Sequence, residues 1–509
     1  MSLRPIWKAQ VAALAIILAL ASFACESDSD SGLPPAEFEP GACPESVASL
    51  PTFADASCGF LVVPESRTKF NGRRIRLPVA IIPSVSQPPP DEPIVHLTGG
   101  PGGDALAEAE FLVPAGLNQQ RDLIIMAQRG TLDTEPELTC PEIDQFNARL
   151  VGLVYGADST KAEHLAATRA CRDRLVAEGI DLSAYNTTEN AADFEDLRKV
   201  LGIKQWSLNG YSYGTYLALT LMRDYPETIR SVIIDSVVPP SVASLGWTWT
   251  NLGEAFNNLF RACADQPACN SEYGDVEATF AGQVQQLEAN PLTTTAQYAP
   301  DGPLVTVVLD GGALVNWLVA AGPAFINVPS AIQELVEGDP KQIAAGRAAL
   351  ANPAGEGIFG YGLTYGVFCS EWIPFEPQSQ ILVQGRLAFP TYPDSVLSQA
   401  PQLPFETEDC AIWNVPSADP SVRDVTISSI PTLVISGSFD AKTSPQWAEY
   451  AAMTLENSTR IVIPGIGHWV TPQSECAQSV VRSFLSNPDV PPDTGCVAGL
   501  TPPPFPTSE

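Results

Sequence analysis

The chain has 509 residues, of which 45% are hydrophobic and 17% are charged, as in an ordinary globular protein. This length is more than one simple core accommodates, so the sequence predicts a main domain with an insertion. The 58 Asp and Glu outnumber the 27 Lys and Arg and give a net charge of −31. Because phosphate binding needs clustered Lys and Arg, this charge argues against nucleic acid as a partner.

Residues 1–25 have the pattern of an export signal. Two basic residues precede an apolar run at 11–24, which is too short to cross a bilayer comfortably. The run ends at Cys25, and an acidic, serine-rich segment follows, which resembles a bacterial lipoprotein signal. We therefore expect a lipid on Cys25, a flexible tether at 26–55, and an exported protein anchored to a bacterial membrane, facing the periplasm or the exterior. An ordinary cleaved signal, and hence secretion, is the alternative.

The eleven cysteines of the chain indicate disulfide bonds. Without Cys25, ten remain, and an even number in an exported chain favours disulfides over metal ligands. Three histidines and no Cys-x-x-Cys pattern also argue against a zinc site, and the sequence indicates no cofactor. Spacing alone does not fix the pairing, but neighbours along the chain would pair as 43–58, 140–171, 263–269, 369–410 and 476–496.

Apolar strands alternate with helices from residue 59 to residue 240, and again near the end of the chain. Asn71-Gly72 is a hairpin signal between strands predicted at 60–63 and 74–82. Continuous apolar strands between helices predict an α/β fold, with a mostly parallel sheet that helices cover on both faces. The other predicted elements are strands at 94–97, 123–126, 206–209, 230–235, 432–436 and 459–463, and helices at 160–178, 189–201 and 474–485.

The middle of the chain has a different pattern. Residues 241–400 have mostly helical periodicity, interrupted by one strand at 304–309. An insertion between two strands of a parallel sheet lies over the carboxyl ends of the strands, where ligands bind. We therefore predict a helical lid at 241–400, a core divided between 56–240 and 401–490, and a tail at 491–509.

The segment Gly210-Tyr-Ser-Tyr-Gly214 joins the strand at 206–209 to an apolar helix that runs to Tyr225. The two glycines leave room for a sharp turn that lifts the Ser212 hydroxyl above the sheet. The pattern therefore predicts Ser212 as a nucleophile. A glycine-rich loop with an incidental serine is the alternative.

A serine nucleophile needs a base, and the chain offers three histidines. His96 lies within a predicted strand and is expected to be a satisfied core residue. His164 is expected on a polar helix surface. His468 lies in a glycine-flexed loop just after the strand at 459–463, from which its imidazole can reach over the edge of the sheet. We therefore predict His468 as the base.

An acid must orient that base. Asp440 lies one step beyond the strand at 432–436, whereas its competitor Asp235 precedes Val-Val-Pro-Pro and is expected to cap that turn. The order Ser212, Asp440, His468 is the one expected when the three side chains leave successive strands of an α/β-hydrolase sheet. The hypothesis is that Ser212 attacks a carbonyl, His468 moves the proton, and Asp440 fixes the imidazole tautomer.

The oxyanion of such a reaction needs preset N–H donors. Tyr213 begins the helix after Ser212 and can supply one. The second is expected from Gly100, in the glycine loop 99–103 that follows the strand at 94–97. A tight turn or a phosphate loop is the alternative for this loop, but no Lys-Ser or Lys-Thr follows it.

Several segments together carry a resemblance to a known family: Gly99-Gly-Pro-Gly-Gly103, Arg129-Gly130, Gly210-Tyr-Ser-Tyr-Gly-Thr215, and the Asp440 and His468 segments. Over residues 56–490 they resemble the proline iminopeptidase and tripeptidyl aminopeptidase branch of the α/β-hydrolases. The resemblance implies an α/β-hydrolase core and a secreted or lipid-anchored serine peptidase. The chain departs from the branch at Leu97-Thr98, where relatives have His or Asn-Pro, and at Ala127, where they have Asp.

The same resemblance indicates a substrate-binding carboxylate. In this branch an acidic residue of the lid follows a Cys-x-Glu/Asp pattern, and the segment Cys369-Ser-Glu371 matches it. Because an exopeptidase must hold the free ammonium of its substrate, the resemblance implies this role for Glu371. A lid-surface or capping carboxylate is the alternative.

Three functions follow from these patterns. The first is an exported aminopeptidase that releases one to three residues from peptide N-termini. The second is a carboxylesterase, because ester hydrolysis uses the same machinery and only Glu371 favours a peptide. The third is a non-catalytic surface-binding protein on a hydrolase scaffold, which the presence of all three triad positions argues against. The expected partners are a peptide or small acyl substrate and, through Cys25, a membrane; the sequence predicts no oligomeric state.

Overall fold

The structure is a computed structural model that describes residues 33–88, 92–242, 244–403 and 405–507. Residues from Ala36 onward form one compact unit. The predicted signal at 1–25 with its Cys25, and the first part of the predicted tether, lie outside the described residues. In the part of the chain that is described, no helix is both long and apolar enough to pass through a membrane.

The described residues form eleven strands, nine of which make one sheet. The order across this sheet is β1-β2-β3-β5-β4-β6-β7-β10-β11, and β8 and β9 form a separate hairpin. All pairings from β5 to β11 are parallel, whereas β1, β2, β3 and β5 pair antiparallel. The strands are β1 (Glu37–Gly41), β2 (Ser57–Pro64), β3 (Arg74–Ile82), β4 (Ile94–Leu97), β5 (Leu123–Met126), β6 (Trp206–Ser212), β7 (Ile229–Val237), β8 (Leu292–Gln297), β9 (Leu304–Leu309), β10 (Thr432–Gly437) and β11 (Ser458–Ile463).

Seventeen α-helices occur in the described ranges. They are α1 (Ala109–Leu112), α2 (Pro141–Leu150), α3 (Asp158–Ala177), α4 (Thr187–Val200), α5 (Tyr213–Asp224), α6 (Leu245–Ala264), α7 (Pro267–Tyr273), α8 (Val276–Ala289), α9 (Gly311–Ala320), α10 (Val328–Val336), α11 (Lys341–Ala348), α12 (Tyr361–Val367), α13 (Ser379–Ala388), α14 (Asp394–Leu397), α15 (Glu406–Trp413), α16 (Pro445–Ala452) and α17 (Glu475–Ser486).

The two faces of the sheet carry different helices. Apolar residues of α4, α5 and α16 pack on one face, and those of α1 and α17 pack on the other. The strands between them are buried on both faces, which is why they appear in the sequence as continuous apolar runs. The predicted α/β fold with a mostly parallel, doubly covered sheet is confirmed.

Two short strands differ from the sequence prediction. Residues 26–55 were expected to form a tether, but Glu37–Gly41 pairs with β2 along its whole length, and the Cys43–Cys58 disulfide fixes the chain beside it. The tether prediction is therefore wrong from Glu37 onward. β8 was also not predicted, because Leu-Thr-Thr-Thr-Ala-Gln is polar and mostly exposed, with little apolar pattern to reveal it.

A long insertion, residues 238–431, lies between the neighbouring strands β7 and β10. It is mainly helical, as predicted for 241–400, but the chain returns to the sheet only at Thr432. Helix α15, which was placed in the core by the predicted boundary at 400, therefore belongs to the insertion and packs on α3. A third apolar cluster joins the insertion to α2 and α3.

All five disulfides have the neighbouring pairing that the sequence allowed. Cys43–Cys58 and Cys140–Cys171 lie in the core, Cys263–Cys269 lies in the insertion, and Cys369–Cys410 ties α15 to the segment after α12. The fifth, Cys476–Cys496, ties the tail to α17. These bonds place covalent links at both ends of the described fold as well as inside the insertion.

A buried cluster of charged side chains joins the segments after β2 and β5 to helix α4. Arg129 follows β5, is fully buried, and donates two hydrogen bonds of 2.8 Å to the Asp193 carboxylate on α4. Arg67, from the loop after β2, donates to the same carboxylate at 2.8 Å and to Glu189 at 2.7 Å. A buried charge is costly unless it is paired. No member of this cluster can therefore be removed alone without a large loss of folding stability.

Replacing Arg129 with leucine should therefore lower the free energy of unfolding by about 3–5 kcal/mol, because it leaves the Asp193 carboxylate buried without its bidentate partner. Urea unfolding with the disulfides intact measures this change. The control is Arg149→Leu, which removes an exposed arginine 3.8 Å from Glu163 and should change the stability by less than about 0.5 kcal/mol. Equal losses in the two variants would contradict the importance of the cluster.

Candidate active site

The turn at Ser212 has no connecting loop: β6 ends at Ser212 and α5 begins at Tyr213. Ser212 has φ +54° and ψ −129°, a backbone conformation that non-glycine residues rarely adopt. The glycines are needed here, since a Cβ at Gly210 would lie 2.4 Å from the carbonyl oxygen of Gly214, and one at Gly214 would lie 1.9 Å from that of Leu97. Such strain persists only where the surrounding structure enforces it, and it is typical of functional sites.

His468 and Asp440 form a hydrogen-bonded pair at the carboxyl edge of the sheet. His468 Nδ1 lies 2.9 Å from Asp440 Oδ2 and 3.1 Å from Oδ1. The Asp440 carboxylate is fully buried and also accepts hydrogen bonds from Thr443 N and Oγ1 and from Lys442 N. Burial acts to raise the pKa of Asp440, but His468 and the Thr443 donors outweigh it and hold that pKa below its usual value. An ionised carboxylate only accepts, so Nδ1 carries the proton and Nε2 is left as the basic nitrogen.

The structure places the loop that carries His468 beside the end of β6, where Ser212 lies. In the β6–β7 register, Tyr211 lies opposite Asp235. The Tyr211 and His468 rings have centroids 6.1 Å apart. Within the described residues no hydrogen bond joins Ser212 Oγ to His468, so direct contact between nucleophile and base stays a prediction.

Asp235 holds the His468 loop. Its carboxylate accepts hydrogen bonds from Val470 N at 3.0 Å, from Thr471 N at 2.7 Å and from Thr471 Oγ1 at 2.7 Å, while Ser236 Oγ accepts one from Trp469 N. Burial raises the pKa of Asp235 despite these donors. The prediction that Asp235 is structural is confirmed, but the carboxylate fixes the backbone after His468 and does not cap the turn that follows it.

The other two histidines are accounted for by structural partners. His96 is fully buried, and its ring nitrogens lie 2.6 Å from Glu108 Oε2 and 2.9 Å from Asn209 Nδ2, so it is the satisfied core residue that was predicted. His164 is different, because its Nε2 lies 2.7 Å from Asp409 and the ring packs against aromatic neighbours. The prediction of a polar surface position is wrong for His164, since α15 of the insertion covers that face of α3.

The glycine loop lies directly beside Ser212. A Cβ at Gly99 would come within 2.8 Å of the Ser212 Cβ, and Gly100 has φ +112°, a conformation that favours glycine. Tyr213 is the first residue of α5, so its backbone N–H has no partner within the helix. The two predicted oxyanion donors therefore belong to neighbouring segments of the chain.

The insertion contacts this loop and the loops around it. Gly360 N donates to the Gly102 carbonyl at 2.8 Å, and Thr364 Oγ1 donates to that of Pro101 at 2.6 Å. Asn258 Nδ2 donates to the Ser438 carbonyl in the segment that leads to Asp440. The insertion therefore lies over the carboxyl ends of the strands, where the lid was expected.

Glu371 lies in a π-helical turn, Phe368–Trp372, and its side chain is fully buried. Its carboxylate accepts hydrogen bonds from Thr187 N and from Thr187 Oγ1, both at 2.7 Å, at the start of α4. Thr187 Oγ1 also lies 2.9 Å from the Tyr213 hydroxyl. Burial raises the pKa of Glu371 to about 7, against the effect of these donors. The carboxylate thus caps α4, is not on the lid surface, and lies one hydrogen-bonded residue from the nucleophile helix.

Two clusters of side chains in the described ranges have the composition of metal ligands. Each consists of two cysteines and a glutamate, Glu142 in one and Glu406 in the other. In both, the cysteines form a disulfide, and oxidised sulfur offers no thiolate to a metal.

Sequence reasoning missed the contacts of Glu108. This residue, which precedes α1, binds Thr98, Tyr211 and His96, three residues beside the predicted oxyanion loop and nucleophile. The signal was weak, because a single glutamate between alanines shows nothing of the strands that it contacts.

Comparison with known proteins agrees with this architecture. The family model for the alpha/beta hydrolase fold matches residues 92–271, and the model for TAP-like protein matches residues 400–496. A tripeptidyl aminopeptidase of Streptomyces coelicolor is 28% identical over 245 residues, which cover 46% of this chain and 45% of the relative. The chain thus spans about half the length of that relative.

Two further similarities cover more of the chain. Serine protease Hip1 of Mycobacterium tuberculosis is 23% identical over 499 residues, 90% of each chain. A solved structure of proline iminopeptidase from Mycobacterium smegmatis is 14% identical over 84% of this chain and 98% of that chain, with a TM-score of 0.38. The described residues have the α/β-hydrolase fold with a strained turn at Ser212, and residues 400–496 are similar to TAP-like proteins.

Proposed function

We propose that the protein is a serine hydrolase, and specifically an aminopeptidase that releases one to three residues from the N-termini of peptides. The observation that carries the proposal is the hydrogen-bonded pair of Asp440 and His468 at the sheet edge that also presents the strained Ser212. The names of the relatives, a tripeptidyl aminopeptidase and a serine protease, support a peptide substrate.

The proposed reaction begins with attack of Ser212 Oγ on the substrate carbonyl carbon while His468 Nε2 takes the hydroxyl proton. The tetrahedral intermediate places negative charge on the carbonyl oxygen, which accepts hydrogen bonds from the N–H groups of Gly100 and Tyr213. When the C–N bond breaks, His468 Nε2 gives its proton to the leaving amine. Water then hydrolyses the acyl-enzyme by the same proton transfers, and Asp440 stabilises the imidazolium throughout.

The choice of free N-termini rests on Glu371. A fully buried carboxylate whose pKa is raised to about 7 is only partly compensated by its neighbours. A substrate ammonium placed beside it would stabilise its charged form, and π-helical turns such as Phe368–Trp372 are frequent at functional sites. Perturbed carboxylates of this kind are typical of ligand-binding sites.

A carboxylesterase is the second candidate, because the same triad hydrolyses esters. The observation that favours it is the burial of Glu371, whose oxygens already have donors from Thr187. A binding protein without catalysis is disfavoured by the Asp440–His468 bond, which a non-catalytic scaffold has no reason to retain.

We also propose that the protein is exported and carries a lipid on Cys25. Five disulfides support an oxidising compartment. Cys25→Ala should then abolish incorporation of labelled palmitate in a bacterial host and move the protein from the detergent phase to the aqueous phase in Triton X-114 partition. A wild-type protein that stays unlabelled and aqueous would indicate an ordinary cleaved signal.

The triad is tested by substitution at the nucleophile and the base. Ser212→Ala and His468→Gln should each lower kcat by about 10⁴-fold or more, and Ser212→Ala should abolish labelling by a fluorophosphonate. The control is His164→Gln. The His164 ring binds Asp409 and is not part of the proposed triad, so this variant should keep kcat/KM within about threefold of the wild type. Labelling that persists in Ser212→Ala would rule out the assignment.

The substrate class is tested with chromogenic aminoacyl and tripeptidyl amides beside N-acetylated amides and short acyl esters. Glu371→Gln should lower kcat/KM about 10–100-fold for substrates with a free N-terminus, because the ammonium loses its charged partner, and less than about threefold for the others. Glu376→Gln is the matched control, since Glu376 caps α6 through Leu245 N and Gly246 N. Equal losses on all substrates would show that Glu371 serves only as a cap, and preferential cleavage of esters would favour the carboxylesterase.

A further inference from the structure

We propose that Glu108 is a positioning residue that holds the oxyanion loop and the nucleophile turn in register with one another. The inference rests on the proposed hydrolase function. It assigns no proton transfer to Glu108, which acts through Thr98, two residues before Gly100, and through Tyr211, directly before Ser212.

The carboxylate of Glu108 binds both segments at once. Its Oε1 accepts a hydrogen bond of 2.5 Å from Thr98 Oγ1 and one of 2.8 Å from the Tyr211 hydroxyl. Its Oε2 lies 2.6 Å from His96 Nε2. One carboxylate thus connects the end of β4 to the end of β6.

The positions of these donors in the chain give the contacts their importance. Thr98 precedes Gly99 and is two residues before Gly100, whereas Tyr211 directly precedes Ser212. The two strands are neighbours in the sheet, with Leu97 opposite Gly210. A single oxygen of Glu108 therefore fixes the spacing between the chain that leads to one proposed oxyanion donor and the chain that leads to the nucleophile.

The packing around the hydrogen bonds of Glu108 leaves the glycine loop and the nucleophile turn little freedom to move. A Cβ at Gly99 would lie 2.8 Å from the Ser212 Cβ and 3.1 Å from the Tyr211 ring, so the loop and the turn are already in close contact. Oxyanion donors act within about 2.7–3.1 Å of the developing charge, and a displacement of about 1 Å can lower a rate by about 10²-fold. A small shift of either segment would therefore misplace the proposed oxyanion donor or the nucleophile and lower the rate.

Burial strengthens the hydrogen bonds that Glu108 accepts from Thr98 and Tyr211. Glu108 is 8% exposed, and Thr98 and His96 are buried. Burial, together with the charge of Glu108, raises the pKa of Tyr211 well above its usual value, so the phenol stays protonated and donates. Hydrogen bonds to a carboxylate that is shielded from water are shorter and stronger than those between neutral groups.

A second acid–base pair is the other function that Glu108 and His96 could have. The geometry argues against it, because His96 Nδ1 lies 2.9 Å from Asn209 Nδ2 and the ring is fully buried within the sheet. Neither ring nitrogen is open to a substrate. His96 therefore binds Glu108 Oε2, whereas Thr98 and Tyr211 bind Oε1 from the segments that carry Gly100 and Ser212.

Steady-state kinetics of Glu108→Gln tests the proposal, with chromogenic tripeptidyl amides and short acyl esters as substrates. The amide keeps the shape of the side chain but places an NH₂ donor where donors converge. We expect kcat to fall about 10–100-fold with KM within about twofold, and the inhibition constant of a boronic acid, which forms a tetrahedral adduct with the serine, to rise in parallel. The matched control is Glu110→Gln, an exposed neighbour whose carboxylate accepts a hydrogen bond from Thr52, and it should keep kcat within twofold.

Milder variants separate positioning from loss of folding. Thr98→Val and Tyr211→Phe should each lower kcat about three- to tenfold at an unchanged melting temperature, and Thr98→Ser, which restores the hydroxyl, should recover most of it. In the Glu108→Gln background, Thr98→Val should add little, because the shared carboxylate is already gone.

The outcomes distinguish the two proposals. If the wild-type enzyme is active and Glu108→Gln keeps its kcat, the positioning role is overturned and the hydrolase assignment stays intact. The same holds if kcat and the melting temperature of Glu108→Gln fall together while Thr98→Val has no effect on kcat. A wild-type protein that hydrolyses none of the amides and esters and is not labelled by a fluorophosphonate would overturn both.

Discussion

The close approach of α5 to the end of β4 is the constraint on which the candidate site depends. A Cβ at Gly214 would lie 1.9 Å from the Leu97 carbonyl oxygen, so no side chain fits where the helix begins. The helix can start there only if the chain turns within one residue, and Ser212 takes the strained φ of +54° as a result. The same contact brings the glycine loop to the helix N-terminus. The nucleophile and both proposed oxyanion donors therefore come from a single packing requirement.

The insertion extends this constraint beyond the sheet. Its hydrogen bonds reach the glycine loop through Gly360 and Thr364, the Asp440 segment through Asn258, and the start of α4 through Glu371. Loops that carry functional groups are usually the mobile part of a fold, and groups are held accurately only where a second layer fixes them. The insertion provides that layer, so it acts as a support for the site as well as a cover over it.

Sequence patterns predicted the parts of the fold that have a local signal. Buried strands such as Leu123–Met126 are apolar throughout, and the two glycines around Ser212 mark the turn directly. The polar strand β8 and the environment of His164 have no such signal, because the first pairs along an exposed hairpin and the second is covered by α15, more than 240 residues away in the chain. Long-range contacts decide these features, and a single sequence does not contain them.

The same limit explains why the sequence did not reveal the hydrogen-bond partners of Glu108 and Glu371, although it did distinguish Asp440 from Asp235. Glu108, Asp235, Glu371 and Asp440 all lie near the carboxyl edge of the sheet with little or no exposure. Burying a carboxylate is unfavourable unless donors compensate it, and Glu108, Asp235 and Glu371 are compensated by backbone amides or by side chains other than His468. Asp440 alone among these four binds the imidazole of His468. Its donors also hold it ionised, and an ionised acceptor is what keeps the proton on Nδ1 and leaves Nε2 free to act as the base.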